Sequence, residues 1–179
     1  MDGERIVASR IGAVFACTGT TKEYAQLLSQ HTGLPVYSFK EAKSIVTKGS
    51  EIIYLGWVMA SKIQGYGKAT KQYRVKAACG VCMGASGTQI QEIREKNHIS
   101  ETVPFFSMQG GFDINKLHGI YKMMMTVMAK TAGKGLAEKT DRTPDEDMML
   151  NMMCNGANYV SENNMKDLLK WYNASAYKA

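Results

Sequence analysis

One feature constrains this chain more than any other: short, uninterrupted apolar runs alternate with stretches of helical spacing along most of its length. Ile11-Gly-Ala-Val-Phe-Ala16 is the first run. Leu34 to Phe39, Glu51 to Gly56, Val75 to Cys82 and Val103 to Met108 follow. A strand with one face in water alternates apolar and polar residues. A strand that is apolar at successive positions has both faces buried, as in a parallel sheet covered by helices. Between the first two runs, Thr20-Thr-Lys-Glu23 reads as a capping box with Thr20 as N-cap. The helix it opens carries Tyr24, Leu27 and Leu28 on one face and ends near Gly33. Five such strands predict an α/β three-layer sandwich with a five-stranded parallel sheet. Right-handed crossovers leave few topologies, of which the order 2-1-3-4-5 is the common one.

The 179 residues suit one domain, 1–179, with one core. Trp57 to Lys62 reads as a loop after the third strand. Thr88-Gln-Ile-Gln91 reads as a capping box opening a helix to Asn97, and Glu162 to Tyr172 as the last helix. The stretch at about 112–156 is too long for a structureless connection, and it carries helical patterns of its own. Tyr121, Met124, Met125 and Met128 share one face. Thr143-Pro-Asp-Glu146 is a capping box with Pro at the first helical position, ahead of Met148, Met149, Met152 and Met153. The expectation is an inserted helical hairpin after strand five, broken at Gly133 and Gly135.

In an open sheet of this order, a ligand sits beyond the carboxyl ends of the strands, where the strand order reverses. That point lies between strands one and three. It selects the loops Cys17 to Thr21 and Trp57 to Ser61, with Met83 to Gly87 beside them. Cys17-Thr-Gly-Thr-Thr21 combines hydroxyls, a glycine and the free N–H groups of a helix start, all suited to a phosphate. A plain N-cap would account for Thr20 alone. Neither G-x-x-x-x-G-K-[ST] nor, after strand one, G-x-G-x-x-G occurs. A cysteine phosphatase would need Arg six positions after its Cys, but Glu23 and Thr88 stand there.

These residues resemble the flavodoxin superfamily, and in detail the branch containing menaquinone-dependent protoporphyrinogen oxidase. The resemblance rests on Thr18-Gly19-Thr20-Thr21 followed by Tyr24-Ala25, and on Ile52 to Gly56 followed by Trp57 to Ile63. It rests also on Gly111-Phe112-Asp113 leading through Tyr121-Lys122 into a Met-rich helix ending at Ala129 to Lys134. It implies a flavodoxin-like fold and non-covalent FMN. Cys17, Thr18, Gly19, Thr20 and Thr21 would hold the phosphate. Trp57, Val58, Met59 and Ala60 would border one side of the ring, and Met83, Gly84 and Ala85 the other. The implied function is that of an FMN-dependent oxidoreductase, a flavoprotein resembling the quinone-linked oxidase. The alternative is a flavodoxin-type electron-transfer protein serving a separate reductase. No acid–base residue stands out, which suits redox chemistry carried by the cofactor.

The remaining features have simpler readings. Cys79-Gly-Val-Cys82 falls in a predicted strand, where i and i+3 point to opposite faces, so packing outweighs a redox or metal pair. His31, His98 and His118 show no ligand spacing, and no metal is expected. Eight of the thirteen methionines lie between Met123 and Met153. They are read first as packing faces and second as a soft surface for a quinone, a tetrapyrrole or a membrane interface. The net charge is +6, and no Asp or Glu occurs from Ile52 to Gln91. Lys62, Lys68, Lys71, Arg74 and Lys76 follow the ring loop in that stretch. Their expected role is a basic rim for a redox partner, a small anionic substrate or anionic lipid. No recognition motif supports nucleic acid. No apolar run approaches a membrane span, and Met1 to Arg10 lacks a secretory apolar stretch. The expected location is the cytoplasm, with peripheral membrane contact as an open alternative.

Overall fold

The computed structural model describes residues 12–16, 19–112 and 119–176. The elements run β1 (Gly12–Ala16), α1 (Thr20–Thr32), β2 (Val36–Ser38), α2 (Phe39–Ile45), β3 (Glu51–Met59), β4 (Lys62–Ile63), α3 (Tyr66–Ala69) and β5 (Arg74–Cys82). They continue with α4 (Ile90–Asn97), β6 (Phe105–Gln109), β7 (Gly111–Phe112), α5 (Gly119–Glu138), α6 (Pro144–Asn155), β8 (Ala157–Asn158) and α7 (Glu162–Ala176). The main sheet has the order β2-β1-β3-β5-β6, with every neighbour on that path parallel. Counting those five strands alone, the order is 2-1-3-4-5, as the alternation predicts. A sixth strand, β4, folds back antiparallel on the end of β3. The fold is therefore α/β with a mostly parallel sheet between helices, compatible with a flavodoxin-like three-layer sandwich.

Strand parity builds the two outer layers. Ala13, Phe15, Ile53, Leu55, Ala77 and Cys79 face Tyr24, Ala25 and Leu28 of α1 and Met165 and Leu168 of α7. Val14, Ile52, Tyr54, Ala78 and Cys82 face Ala42, Tyr66, Ala69 and Ile93 of α2, α3 and α4. Cys79 and Cys82 thus enter opposite cores, and burial raises both thiol pKa values. Both are packed as small apolar residues, in line with the sequence reading.

Several helix ends differ from expectation. The N-cap of α1 is Gly19, not Thr20. No side-chain cap forms there, and Glu23 instead accepts from Asn158. α4 begins after Gln89, whose φ is 56°, and the Thr88 hydroxyl turns back to the Ala85 carbonyl. The capping boxes read at Thr20 and Thr88 therefore do not form. In both places a positive-φ residue, Gly19 or Gln89, carries the chain into the helix. The box at Thr143 and Glu146 does form, with Pro144 opening α6. α5 runs through Gly133 and Gly135, so the break between the inserted helices falls at 139–143. Gly133 instead lies against Met153 of α6. The side chains of Tyr121, Met124, Met125 and Met128 lie outside the description, as does His118. β7 and β8 pair antiparallel, Gly111 with Asn158 and Phe112 with Ala157, and bring the two ends of the insertion together.

Candidate functional site

The carboxyl ends of β1, β3, β5 and β6 gather most of the residues selected from sequence. Cys17 and Thr18 fall outside the described residues. Gly19 has φ 78° and ψ −142°, and a Cβ built on it meets no described residue within 4 Å. Only glycine adopts that backbone without cost, and no described residue fills the space beside it at the start of α1. The first helical N–H groups, from Thr20 to Lys22, precede the first i→i−4 bond, which Glu23 makes to Gly19. Thr20 packs beside Gly110 at the end of β6, and Thr21 is buried. Lys22 is a basic side chain in the first turn that the sequence reading passed over. It lines a cleft of about 380 Å³ with Phe15, Gln26, Val36, Ser38 and Glu41, between α1 and the start of α2.

The segment Trp57 to Lys62, read as a loop, is mostly strand. β3 continues through Met59 and turns at Ala60 and Ser61, with φ 48° and 61°. It then returns as β4, with Val58 opposite Ile63 and Met59 opposite Lys62. A two-residue turn with both φ values positive matches the twist of a hairpin, but it strains non-glycine residues. The sequence lacks the Asn-Gly that normally marks such a turn, which is why the hairpin was not legible.

The strained tip is held by α4. Asn97 Nδ2 donates to the Ser61 carbonyl at 2.8 Å, and Asn97 Oδ1 accepts from the Ile63 N–H at 2.8 Å. The Ser61 hydroxyl donates to Glu92. Trp57 is half-buried in register with Val81, and Val58 packs toward the α2–α4 core. Ala60 is exposed at the tip.

The loop after β5 is tied to β6. Ser86 Oγ accepts from the Gln109 N–H at 2.8 Å, and the Gly87 N–H donates to the Ser107 carbonyl at 3.0 Å. Gly84 sits near the Thr88 hydroxyl, and the Ala85 carbonyl accepts from Thr88. The buried Tyr24 hydroxyl donates to the Gln109 carbonyl, joining α1 to the same strand end. Burial raises the Tyr24 pKa, so the phenol stays protonated and remains a donor.

Met59 of the hairpin and Met83 of the β5 loop meet in a third apolar cluster. Its centre is Phe112 and Met152, and Met148 and Tyr159 pack against it. The amide of Gln109 also lies 2.9 Å from the Met148 sulfur. The inserted helix α6 thus rests on two of the residues selected as ring-bordering. Spacing showed that α6 carries a Met face, but not what that face covers.

The expected basic rim is not assembled at this end. The chain leaves β4, passes through α3 and returns to the amino end of the sheet before β5 can run parallel to β3. Lys62 stays on the hairpin. Arg74 and Lys76 stand at the start of β5, within 3.5 and 3.4 Å of Glu51. Lys71 borders a cleft there with Lys48. Neighbours in sequence are separated here by the length of a strand.

No family model, curated protein or solved structure matches this chain. Among the described residues, no helix is long and apolar enough to cross a membrane.

Proposed function

We propose that the protein is an FMN-binding, flavodoxin-like redox protein, an oxidoreductase similar to the quinone-linked protoporphyrinogen oxidase branch. The observation that carries this reading is Gly19. Its positive-φ backbone lies at the start of a 13-residue helix, beside the sheet's switch point, with no described residue within 4 Å of a Cβ built there. The donor set fits a terminal phosphate: the first-turn N–H groups, which precede the first i→i−4 bond, and the Thr20 hydroxyl. The isoalloxazine would border Trp57 to Ala60 on one side and Met83 to Ala85 on the other. FMN supplies the redox chemistry when bound. The protein's part is to hold the phosphate, fix the ring against a pinned hairpin and keep water from part of its surroundings.

A flavodoxin-type electron carrier is the second reading. The position of α6 favours the first, because a protein partner approaching Met59 and Met83 would meet α6. A small, flat acceptor or donor, such as a quinone or tetrapyrrole, needs less room. Titration of flavin fluorescence tests the cofactor. FMN should bind at least about tenfold more tightly than riboflavin, since one charge-assisted hydrogen bond contributes roughly 1.5–3 kcal/mol. Equal affinity for the two flavins would remove the phosphate site and the reading with it.

A further inference from the structure

The basic residues missing from the carboxyl end meet at the opposite one. Segments 47–51 and 70–74 lie side by side there. The Gly49 N–H donates to the Gln72 carbonyl at 2.7 Å, and the Arg74 N–H to the Ser50 carbonyl at 2.9 Å. Between them is an open cleft of about 430 Å³, bordered by Lys48, Gly49, Thr70, Lys71 and Arg74.

Lys76 is brought to this end by an irregularity in the sheet. Ile52 pairs with Val75 but Ile53 pairs with Ala77, so Lys76 is an extra residue on β5. Such a bulge re-aims a side chain that regular alternation would place elsewhere. Here it leaves Lys76 exposed and within 3.4 Å of Glu51. Glu51 also lies 3.5 Å from Arg74, so one carboxylate is shared by two cations. Lys48 and Lys71 make no ion pair among the described residues. Among the described residues, three cations border the cleft, Lys48, Lys71 and Arg74, and the carboxylate of Glu51 is shared between Arg74 and the adjacent Lys76.

We propose that this amino-end cleft binds a small multivalent phosphate anion, such as inorganic triphosphate or the phosphate chain of a nucleotide. The charge excess matches a polyphosphate better than a single carboxylate. Lysine ammoniums and one guanidinium are suited to phosphate oxygens. The volume lies in the range of small-molecule sites. Tyr73, the aromatic residue of this wall, is 4% exposed, so the site offers no platform for a base. Recognition is of the phosphate chain itself. The site is independent of the proposed flavin loops, which lie beyond the other ends of the same strands.

The test is calorimetric titration of the full chain with inorganic triphosphate at low salt, with and without excess FMN. Lys71→Gln combined with Arg74→Gln is compared with Lys130→Gln combined with Lys134→Gln, which removes equal charge from the inserted helix α5. The first pair should weaken binding by about tenfold or more, since each cation forms a charge-assisted contact. The second pair should change it by less than about twofold, and FMN should not displace the triphosphate. Equal weakening by both pairs would overturn the proposal, as would displacement by FMN or the absence of saturable binding. So would sedimentation of the protein by phosphatidylserine vesicles, sensitive to the first pair, in the absence of triphosphate binding. All four residues are exposed, and thermal melts of each variant should match the parent.

Discussion

The two ends of the sheet are built on opposite plans. At the carboxyl end, around the hairpin and the end of β6, backbone and side chains meet with no room for a methyl group. A Cβ on Gly56 would fall 2.5 Å from Ile63 Cγ2 and 2.9 Å from the Gln64 carbonyl, and one on Gly110 would collide with Val81. Hydrogen bonds donated by Asn97 and Tyr24 and one accepted by Ser86 then tie the hairpin, α1 and the β5 loop into one unit. At the amino end the cleft is open and its cations stand on exposed stems. The first plan suits a rigid ligand that must be held in one orientation. The second suits an anion recognised by charge. Sites of the first kind are set by packing and should respond to volume. Sites of the second kind should respond to charge and salt, with almost no effect on stability.

The largest expected effect is at Met152, which is fully buried where α6 meets Met59 and Met83. Met152→Ala should cost about 2–5 kcal/mol of docking free energy. Urea denaturation and hydrogen exchange across α6 would read it. Unchanged protection of the α6 amides would mean that this cluster does not fasten the insertion, and the contrast between the two ends would fail. A somewhat smaller effect is expected from Gly56→Ala, at roughly 1–3 kcal/mol, because the hairpin must lift to admit the methyl. The same change should weaken the proposed FMN binding, read by flavin fluorescence titration, since it moves Trp57 to Ala60. Lys71→Gln at the other end should stay within about 0.5 kcal/mol of the parent. If Gly56→Ala is equally silent, the carboxyl end is not the rigid one.

The main sheet was legible because burial on both faces leaves a direct trace: runs such as Ile52 to Leu55 have no polar position. Handedness narrowed the strand orders to a few, and the common one is the order that forms. The hairpin was not legible, because Ala60 and Ser61 adopt a turn that other residues favour, held by Asn97 from a distant helix. The helix α2 could have been found, since Ser38-Phe-Lys-Glu41 forms a capping box of the kind recognised elsewhere in the chain. The basic rim failed for a reason the predicted topology already contained. Any connection between parallel strands must travel back to the amino end, so a run of lysines spanning that connection cannot surround one loop. Gly19 to Thr21 do follow β1 at the start of α1, but the N-cap read at Thr20 falls on Gly19.

The smallest expected effect tests whether charge has any part in holding the packed end. Glu146 at the start of α6 accepts from the Lys139 ammonium at 2.9 Å and from the Thr143 N–H at 2.9 Å. The Lys139 contact is the larger cause of its lowered pKa, and the Thr143 backbone bond adds to it. A carboxyl whose folded pKa lies below its unfolded value stabilises the folded state fully above the ordinary value near 4.5. That contribution fades as pH falls below 4.5 and is gone once pH has passed through the lowered folded value. The group is solvent-facing, so the loss should appear only as faster exchange at the first turn of α6, with Met152 still protected. Glu146→Gln keeps a side-chain acceptor for the Thr143 N–H but removes the charge facing Lys139. It should flatten the pH response without undocking the helix. Exchange measured between pH 6 and pH 3 would separate the two contributions. If acidification released Met152 along with the first turn in the parent but not in Glu146→Gln, one surface carboxylate would be holding the insertion down. Packing against Met59 and Met83 would then be its consequence.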